Sequence, residues 1–214
     1  MISDPDKKSE VEEIADRIAR EILNIKVDPW TREKEKISKF WKECFSFDVP
    51  WDKLTVPDAP VDMKMFDLAP QKFSVQQIFD AYAKRFGKDK VYNHYSNTGI
   101  DKSIKEQQNR PDGDYLYKHC GGDEPDSGHL GESYDDFSSD GNSYMVPKEG
   151  IISAFRYRFE TGRMYDVKGL TRFHALDVDG YAVCLYRGGN GGFYIDWGDR
   201  GYRYPDYGPR QVSF

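Results

Sequence analysis

The sequence predicts an α+β chain: a helical N-terminal extension over residues 1–47, followed by one larger domain over residues 48–214. Three observations carry this. In four segments apolar residues recur at spacings of three and four, as on one face of a helix, and seven shorter runs of β-branched and aromatic residues bounded by Gly, Pro or Asp have the form of strands. The hydrophobic fraction is only 38%, with aromatics at 15%, so burial rests heavily on Trp, Tyr and Phe. Aromatic content at that level also argues against disorder.

The elements follow in order. Ser9 and Glu12 form a capping box, and Val11, Ile14, Ile18, Ile22 and Ile25 make the apolar stripe of a first helix. Asp28 and Pro29 suit the cap and first turn of a second, with Ile37, Phe40, Trp41, Cys44 and Phe45 on its buried face. Pro50, Pro57, Pro60 and Pro70 then favour extended backbone, with Met63 to Leu68 as a short strand. Ser74 with Gln77 is a second capping box and Phe73 with Ile78 a hydrophobic staple, which predicts a helix from Val75 to Phe86 ended by Gly87. Val91–Tyr95 and Asp114–Cys120 are strands separated by a polar, turn-rich stretch, and residues 121–141 lack periodicity and form a long irregular loop.

Pro147 opens a helix whose apolar face is Ile151, Ile152, Phe155 and Phe159, and Gly162 supplies its left-handed cap. Leu170–Val178, Tyr181–Tyr186 and Phe193–Trp197 follow as strands, punctuated by Asp179-Gly180 and the Gly188–Gly192 cluster. A last strand at Arg210–Phe214 returns the terminus to the sheet.

Composition narrows the function. The net charge is −6 with both signs interspersed, so no basic stripe exists to neutralise a phosphate backbone, and nucleic acid is excluded as a partner. Cys44, Cys120 and Cys184 are odd in number and share no metal-ligand or redox spacing, which predicts free thiols. With no signal-peptide pattern and no apolar run of membrane-spanning length, the expectation is a soluble protein, cytoplasmic by default. His94, His119, His129 and His174 are scattered outside any ligand motif, and the sequence has no nucleophile elbow, phosphate loop or dinucleotide fingerprint. A non-enzymatic protein without cofactor or metal is expected. Two rival readings stand beside it. One is a metal-dependent hydrolase using His119, His129 and the acidic loop of Asp123, Glu124, Asp126, Asp135, Asp136 and Asp140, whose oxygens suit calcium. The other is an oligomeric module working through the Ile-rich first helix. Asp177-x-Asp179-Gly180 is read as a hairpin turn rather than a metal site.

The segment Leu185–Phe214 holds five of the fifteen tyrosines and seven of the nineteen glycines, with Asp, Asn and Arg at eight of the other eighteen positions. Tyrosine offers a large amphipathic contact area for two side-chain torsions, and Gly, Asn and Asp let loops fit a partner, so this is the composition of a binding surface. Strand alternation sends Val183, Leu185, Phe193, Ile195 and Trp197 inward and Cys184, Tyr186, Tyr194 and Asp196 outward. Asn190, Asp199, Tyr202, Tyr204, Asp206 and Tyr207 join the outward set from turns.

These features resemble the variable proteins of diversity-generating retroelements, mainly over residues 147–214. The resemblance rests on Glu160-Thr161-Gly162 at a helix end, Asp166-Val167-Lys168 after it, the Asp179-Gly180 turn, and a Tyr- and Asp-rich stretch before a short tail. Gly208-Pro209-Arg210 stands where better-known members carry Gly-Phe-Arg, and their Gly-Gly-Ser-Trp segment is missing. In that family an error-prone reverse transcriptase rewrites adenines of a template copy, turning Asn-type codons into Tyr, Asp, Ser, Gly, His or Cys codons at surface positions. The resemblance implies a C-type lectin-like domain with a small twisted antiparallel sheet and flanking helices. It further implies a diversified surface within residues 180–207 that binds varied, chiefly protein, ligands through Cys184, Tyr186, Asn190, Tyr194, Asp196, Asp199, Tyr202, Tyr204, Asp206 and Tyr207. Trp197 is scaffold on this view, because changing the adenines of an Asn codon cannot give a Trp codon. The lectin-like fold implies neither sugar nor calcium.

Overall fold

The computed structural model describes residues 29–58, 63–106 and 109–214; the first helix, expected from Val11 to Ile25, lies outside them. The chain divides into two compact units, Met1–Lys39 and Phe40–Phe214. Helix α1 (Pro29–Phe45) opens on its proline and contributes residues to both. In the first unit Lys36 pairs with Glu33 one turn away at 3.6 Å, and Ile37 is buried. All three cysteines are free thiols.

The second unit is α+β. After the end of α1 come β1 (Met65–Ala69), α2 (Val75–Phe86), β2 (Val91–Asn93), the single turn α3 (Ile100–Ser103) and β3 (Ile104–Glu106). They are followed by β4 (Tyr115–His119), the short α4 (Tyr134–Phe137), α5 (Pro147–Thr161), β5 (Leu170–Asp177), β6 (Ala182–Arg187) and β7 (Phe193–Gly198). Two short strands, β8 (Tyr207–Gly208) and β9 (Val212–Ser213), close the chain.

The strands form two sheets where the resemblance implied one small antiparallel sheet. One is antiparallel, in the order β1-β4-β9; the other is mixed, in the order β2-β7-β6-β5-β3, with β8 also pairing β5. Its β2–β7 and β5–β8 pairings are parallel. The C-terminal strand therefore returns to β4 in the smaller sheet and not to its sequence neighbours. Among the described residues, no helix is long and apolar enough to cross a membrane.

Helix α5 packs against both sheets through β1, β5 and β6, and against α2. Ile151, Ile152 and Phe155 are fully buried, and Gly150 lies so close to Phe173 that a Cβ there would meet the ring at 2.1 Å. Gly162 ends the helix in the left-handed conformation, as expected. Ser74 and Gln77 cap α2 reciprocally. From α2, Tyr82 stacks on Phe193 with ring centroids 4.2 Å apart, which fixes the inner face of β7. At the other end of the core, Phe40, Trp41, Phe45, Phe73 and Phe155 form an edge-to-face and stacked aromatic cluster.

Polar groups buried between β1, β4 and α5 satisfy one another. Asp67 accepts from Arg156 (2.9 Å) and Ser153 (2.7 Å) and lies 3.0 Å from His119 Nε2, while the Tyr117 hydroxyl meets Ser153 Oγ at 2.9 Å. Burial pushes the Asp67 carboxyl up, but Arg156, His119 and Ser153 outweigh it and hold it below its ordinary value.

The loop at 121–141 is less irregular than its composition predicts. Ser133 and Asp136 make a capping box at its centre and start α4, whose Tyr134 and Phe137 are buried with Tyr144 and Ala182. The polar stretch before β4 likewise contains α3 and β3.

Candidate functional site

The register of the larger sheet determines which side chains share a line. Tyr92 on β2 pairs with Tyr194 on β7, Tyr194 with Tyr186 on β6, Tyr186 with Leu170 on β5, and Leu170 with Tyr207 on β8. Registered partners point to the same side of a sheet, so one row across five strands carries four tyrosines. The rings touch along it: Tyr92 and Tyr194 lie 5.0 Å apart, Tyr186 and Tyr194 5.5 Å. The next row on that face is polar, Asp196–Cys184–Arg172.

The inner face of the same strands is the core. Val183, Leu185, Phe193 and Ile195 are buried as alternation predicts. Trp197 departs from this expectation and is 41% exposed. It ends β7, and its indole N–H, which needs an acceptor, donates to His94 Nε2 at 2.8 Å while the ring lies 4.3 Å from that of Tyr181. Because His94 Nε2 accepts, the ring proton sits on Nδ1, 3.3 Å from Asp196 Oδ1. Asp196 Oδ2 accepts from the Tyr186 hydroxyl at 3.2 Å, so Tyr186 and Asp196 are bonded to each other, Trp197 to His94, and the two pairs lie side by side. Burial, then the Asp196 carboxylate, raises the Tyr186 phenol well above its usual range, so it stays a donor.

Beyond β7 the chain crosses the face. Tyr202, Tyr204 and Tyr207 stack in succession, with centroids 4.6 and 4.4 Å apart, and Tyr202 and Tyr204 are 54% and 41% exposed. Arg200 and Arg203 tie this loop to α4 through Asp135 and Asp136, both at 2.5 Å. Bonds from the Ser133 hydroxyl and amide, and after them the bond from Arg203, hold the Asp136 carboxyl down at about 2. Beneath the loop the Arg172 guanidinium donates to the carbonyls of Glu132 (3.1 Å) and Tyr202 (2.5 Å) and lies 5.6 Å from the Tyr207 ring.

The Gly188–Gly192 turn has a packing role. A Cβ on Gly188 would sit 2.6 Å from the Tyr194 ring, and one on Gly192 2.9 Å from it, so the ring lies flat on a surface that only glycine provides. Asn190 shapes the turn by accepting from Gly192 N at 2.8 Å, and Asp199 does the same for Gly201 N at 2.8 Å. Asp206 is exposed beside the tyrosine stack, and its carbonyl accepts from Leu170 N.

Of the ten expected positions, Tyr186, Asn190, Tyr194, Asp196, Asp199, Tyr202, Tyr204, Asp206 and Tyr207 are exposed or half-buried along this face and its turns. Cys184 is the correction. It points to the expected side but is 2% exposed beneath the crossing loop, and burial pushes its thiol up to about 12. It can influence a ligand only through what lies on it. The structure adds Tyr92, His94, Tyr181 and Trp197, all about 40% exposed, to the same surface. Alternation in Val91–Tyr95 places Tyr92 and His94 on one side, but their pairing with β7, a hundred residues away, has no local signal.

The motifs near the site close on one another in space. Arg210 Nη2 donates to Asp166 Oδ1 at 2.7 Å and its Nε to Thr171 Oγ1 at 2.9 Å, all fully buried, and its guanidinium lies 3.9 Å from the Tyr165 ring. This bridge fixes the tail at the end of the crossing loop. The acidic side chains that the rival reading offers as calcium ligands brace backbone and arginines: Glu124 accepts from Lys168 N and Gly169 N, Asp126 from Gln211 N, Asp123 from Arg163 and Asp140 from Asn142 N. Among the described residues, no three of His, Cys, Asp and Glu come together in a metal-binding group. His119 is buried against Asp67, and His129 faces Glu132 at 3.2 Å. Asp177 accepts from Asp179 N and Tyr181 N, making its motif a hairpin turn.

Comparison with protein-family models, curated proteins and solved structures finds no match to this chain.

Proposed function

We propose that the chain is a non-enzymatic binding protein that presents a diversified face to varied protein ligands. The row Tyr92–Tyr194–Tyr186–Leu170–Tyr207 carries the reading. Four tyrosines aligned across five strands, continued by the exposed Tyr202 and Tyr204, make a broad aromatic surface on a rigid frame. Exposed aromatic clusters of this kind supply the anchors of protein interfaces, while the charges around them, here Asp196, Asp199 and Asp206, tune specificity more than affinity. Rigid strands also reduce the ordering cost of binding.

On this reading a diversity-generating retroelement rewrites residues 180–207, and the α+β fold is a C-type lectin-like one enlarged by the β1-β4-β9 sheet. The residues offered for rewriting lie on the outer face and its turns; Val183, Leu185, Phe193 and Ile195, buried beneath them, keep the fold while the surface changes. Trp197 and Tyr92 are then fixed contacts at the rim of a changing one.

Sequencing the 3′ end of the gene and its flanks across a source population tests the genetic half. The expected finding is a nearby template repeat that differs only at adenines, beside a reverse-transcriptase gene; an invariant 3′ end with no template refutes diversification. The binding half is tested by panning a displayed protein library against the chain. Binders should lose affinity when Tyr194, Tyr202 and Tyr204 become Ser, and binders indifferent to all three would refute the surface.

A further inference from the structure

We infer that Arg172 is the positioning residue that holds the crossing loop, residues 199–207, in line with the strand tyrosines. The tyrosine surface has two halves of different origin. Tyr186 and Tyr194 are fixed by ladder hydrogen bonds on inner strands of the sheet, and Tyr92 on the edge strand β2 by its pairing with β7. Tyr202 and Tyr204 stand on a loop with no ladder of its own, and only Tyr207 rejoins a strand.

Three side-chain attachments fasten this loop between its ends, beside two backbone bonds in which Asp135 N donates to the Arg200 carbonyl and Leu170 N to the Asp206 carbonyl, both at 3.3 Å. Two are the ion pairs of Arg200 with Asp135 and Arg203 with Asp136, whose arginines are half to two-thirds exposed. Exposed pairs contribute little and are screened by salt. The third is Arg172, 1% exposed, on the polar row directly beneath. Its Nη1 spans the Tyr202 carbonyl of the loop and the Glu132 carbonyl of the segment leading into α4, so one guanidinium joins three pieces of chain. Charge-assisted bonds of this kind, out of water, are the strong ones.

The surroundings of Arg172 support a role beyond filling space. Among the described residues no carboxylate lies within ion-pair distance of it, and its Nε has no acceptor. A buried charge without a counterion is costly, and an apolar side chain could fill the same volume. What an apolar side chain cannot do is reach two carbonyls and support the Tyr207 ring from below. Lysine keeps the charge but lacks the planar fork, so it can replace only part of this.

Hydrogen exchange of the free protein tests the inference without any ligand. In Arg172→Gln and Arg172→Lys, the amides of Tyr202 and Tyr207, and that of Asp135, which donates to the Arg200 carbonyl, should exchange at least about tenfold faster, with β6 and β7 unchanged. Unchanged exchange in the loop, or equal acceleration in the sheet, overturns the inference. Should the glutamine variant fail to fold, the lysine variant and a salt series on the native chain decide. About 0.5 M NaCl screens the surface pairs and should leave the native loop protected; its release by salt would assign the anchoring to Arg200 and Arg203. The meaning of Arg172 for binding rests on the function proposed above. It is read with a panned binder that contacts Tyr202 and Tyr204: its affinity should fall at least about tenfold in Arg172→Lys, whereas retained affinity with a loosened loop would refute a positioning role.

Discussion

Replacing Gly188 with alanine separates display from stability at a single methyl group. The new Cβ would lie 2.6, 2.7 and 2.8 Å from three ring carbons of Tyr194. Carbon atoms settle at about 3.5–4.0 Å, so the ring must lift by about 1 Å. It can do so, because Tyr194 is half-buried and its ring is the free end of the side chain. Lifting weakens the contacts with Tyr92 at 5.0 Å and Tyr186 at 5.5 Å. Such pairs contribute about 0.5–1.5 kcal/mol each, so their partial loss costs about 1 kcal/mol. The backbone of Gly188 is outside the left-handed region, so alanine fits there and restricts the unfolded chain, a gain of about 0.4–1 kcal/mol. The two effects nearly cancel. Thermal unfolding should therefore move by no more than about 4 °C, while affinity for a binder anchored on Tyr194 should fall about 30-fold, the equivalent of a 2 kcal/mol hot spot. Gly189→Ala is the control, since nothing lies within 4 Å of its Cβ, and it should leave both quantities unchanged. A loss above about 3 kcal/mol in Gly188→Ala would place Tyr194 in the core, and intact binding would remove it from the surface; either result refutes the reasoning.

Other perturbations probe the frame. Substituting Tyr194, Tyr202 and Tyr204 together with Ser should change unfolding free energy by no more than about 1 kcal/mol, because exposed positions away from the core cost little; collapse in a denaturant titration would contradict display. Arg210→Met strands the buried Asp166 carboxylate and should cost about 3–5 kcal/mol in the same titration, and a cost under about 1 kcal/mol would show that the bridge does not anchor the tail. Asp67 titrates below its ordinary value in the folded chain, since Arg156, His119 and Ser153 outweigh its burial. Its stabilisation is therefore complete above the unfolded carboxyl value of about 3.9 and is lost as pH falls through the lower folded one. The stability gap between the native chain and Asp67→Asn should narrow on acidification from pH 6 toward that range, and a constant gap would refute the assignment.

The sequence was most informative where structure is set within a few residues. The Ser74/Gln77 box gave the start of α2, Pro147 and Gly162 bounded α5, and alternation sorted Val183, Leu185, Phe193 and Ile195 from Tyr186 and Tyr194. It failed where the decision is made at a distance. Alternation puts Cys184 on the outer side, yet whether that side meets water depends on the path of residues 199–207 over it. The loop at 121–141 carried a capping box, Ser133 with Asp136, that its Gly and Asp content masked, because composition reports solubility and not local bonding.

The same distinction accounts for the missed half of the surface. A tyrosine-rich stretch can be seen in one dimension, but the row from Tyr92 to Tyr207 exists only because β2 and β8 join the sheet in parallel, and parallel pairing always links segments far apart in sequence. A rewritten stretch between residues 180 and 207 would therefore be framed by strands encoded elsewhere: Tyr92 on one edge and Arg172 beneath the loop lie outside it. On the function proposed above, that division would let the face vary without moving, since Tyr92 at its edge and Arg172 on its floor are not among the residues that would change. It also limits variation at Cys184. Buried under the loop beside Arg172, this position tolerates side chains near the size of Cys, whereas the exposed Tyr202 and Tyr204 face no such restriction. A library of natural variants should therefore show small residues at 184 and the full range at 202 and 204; large aromatic residues at 184 in folded variants would mean that the loop does not lie as described.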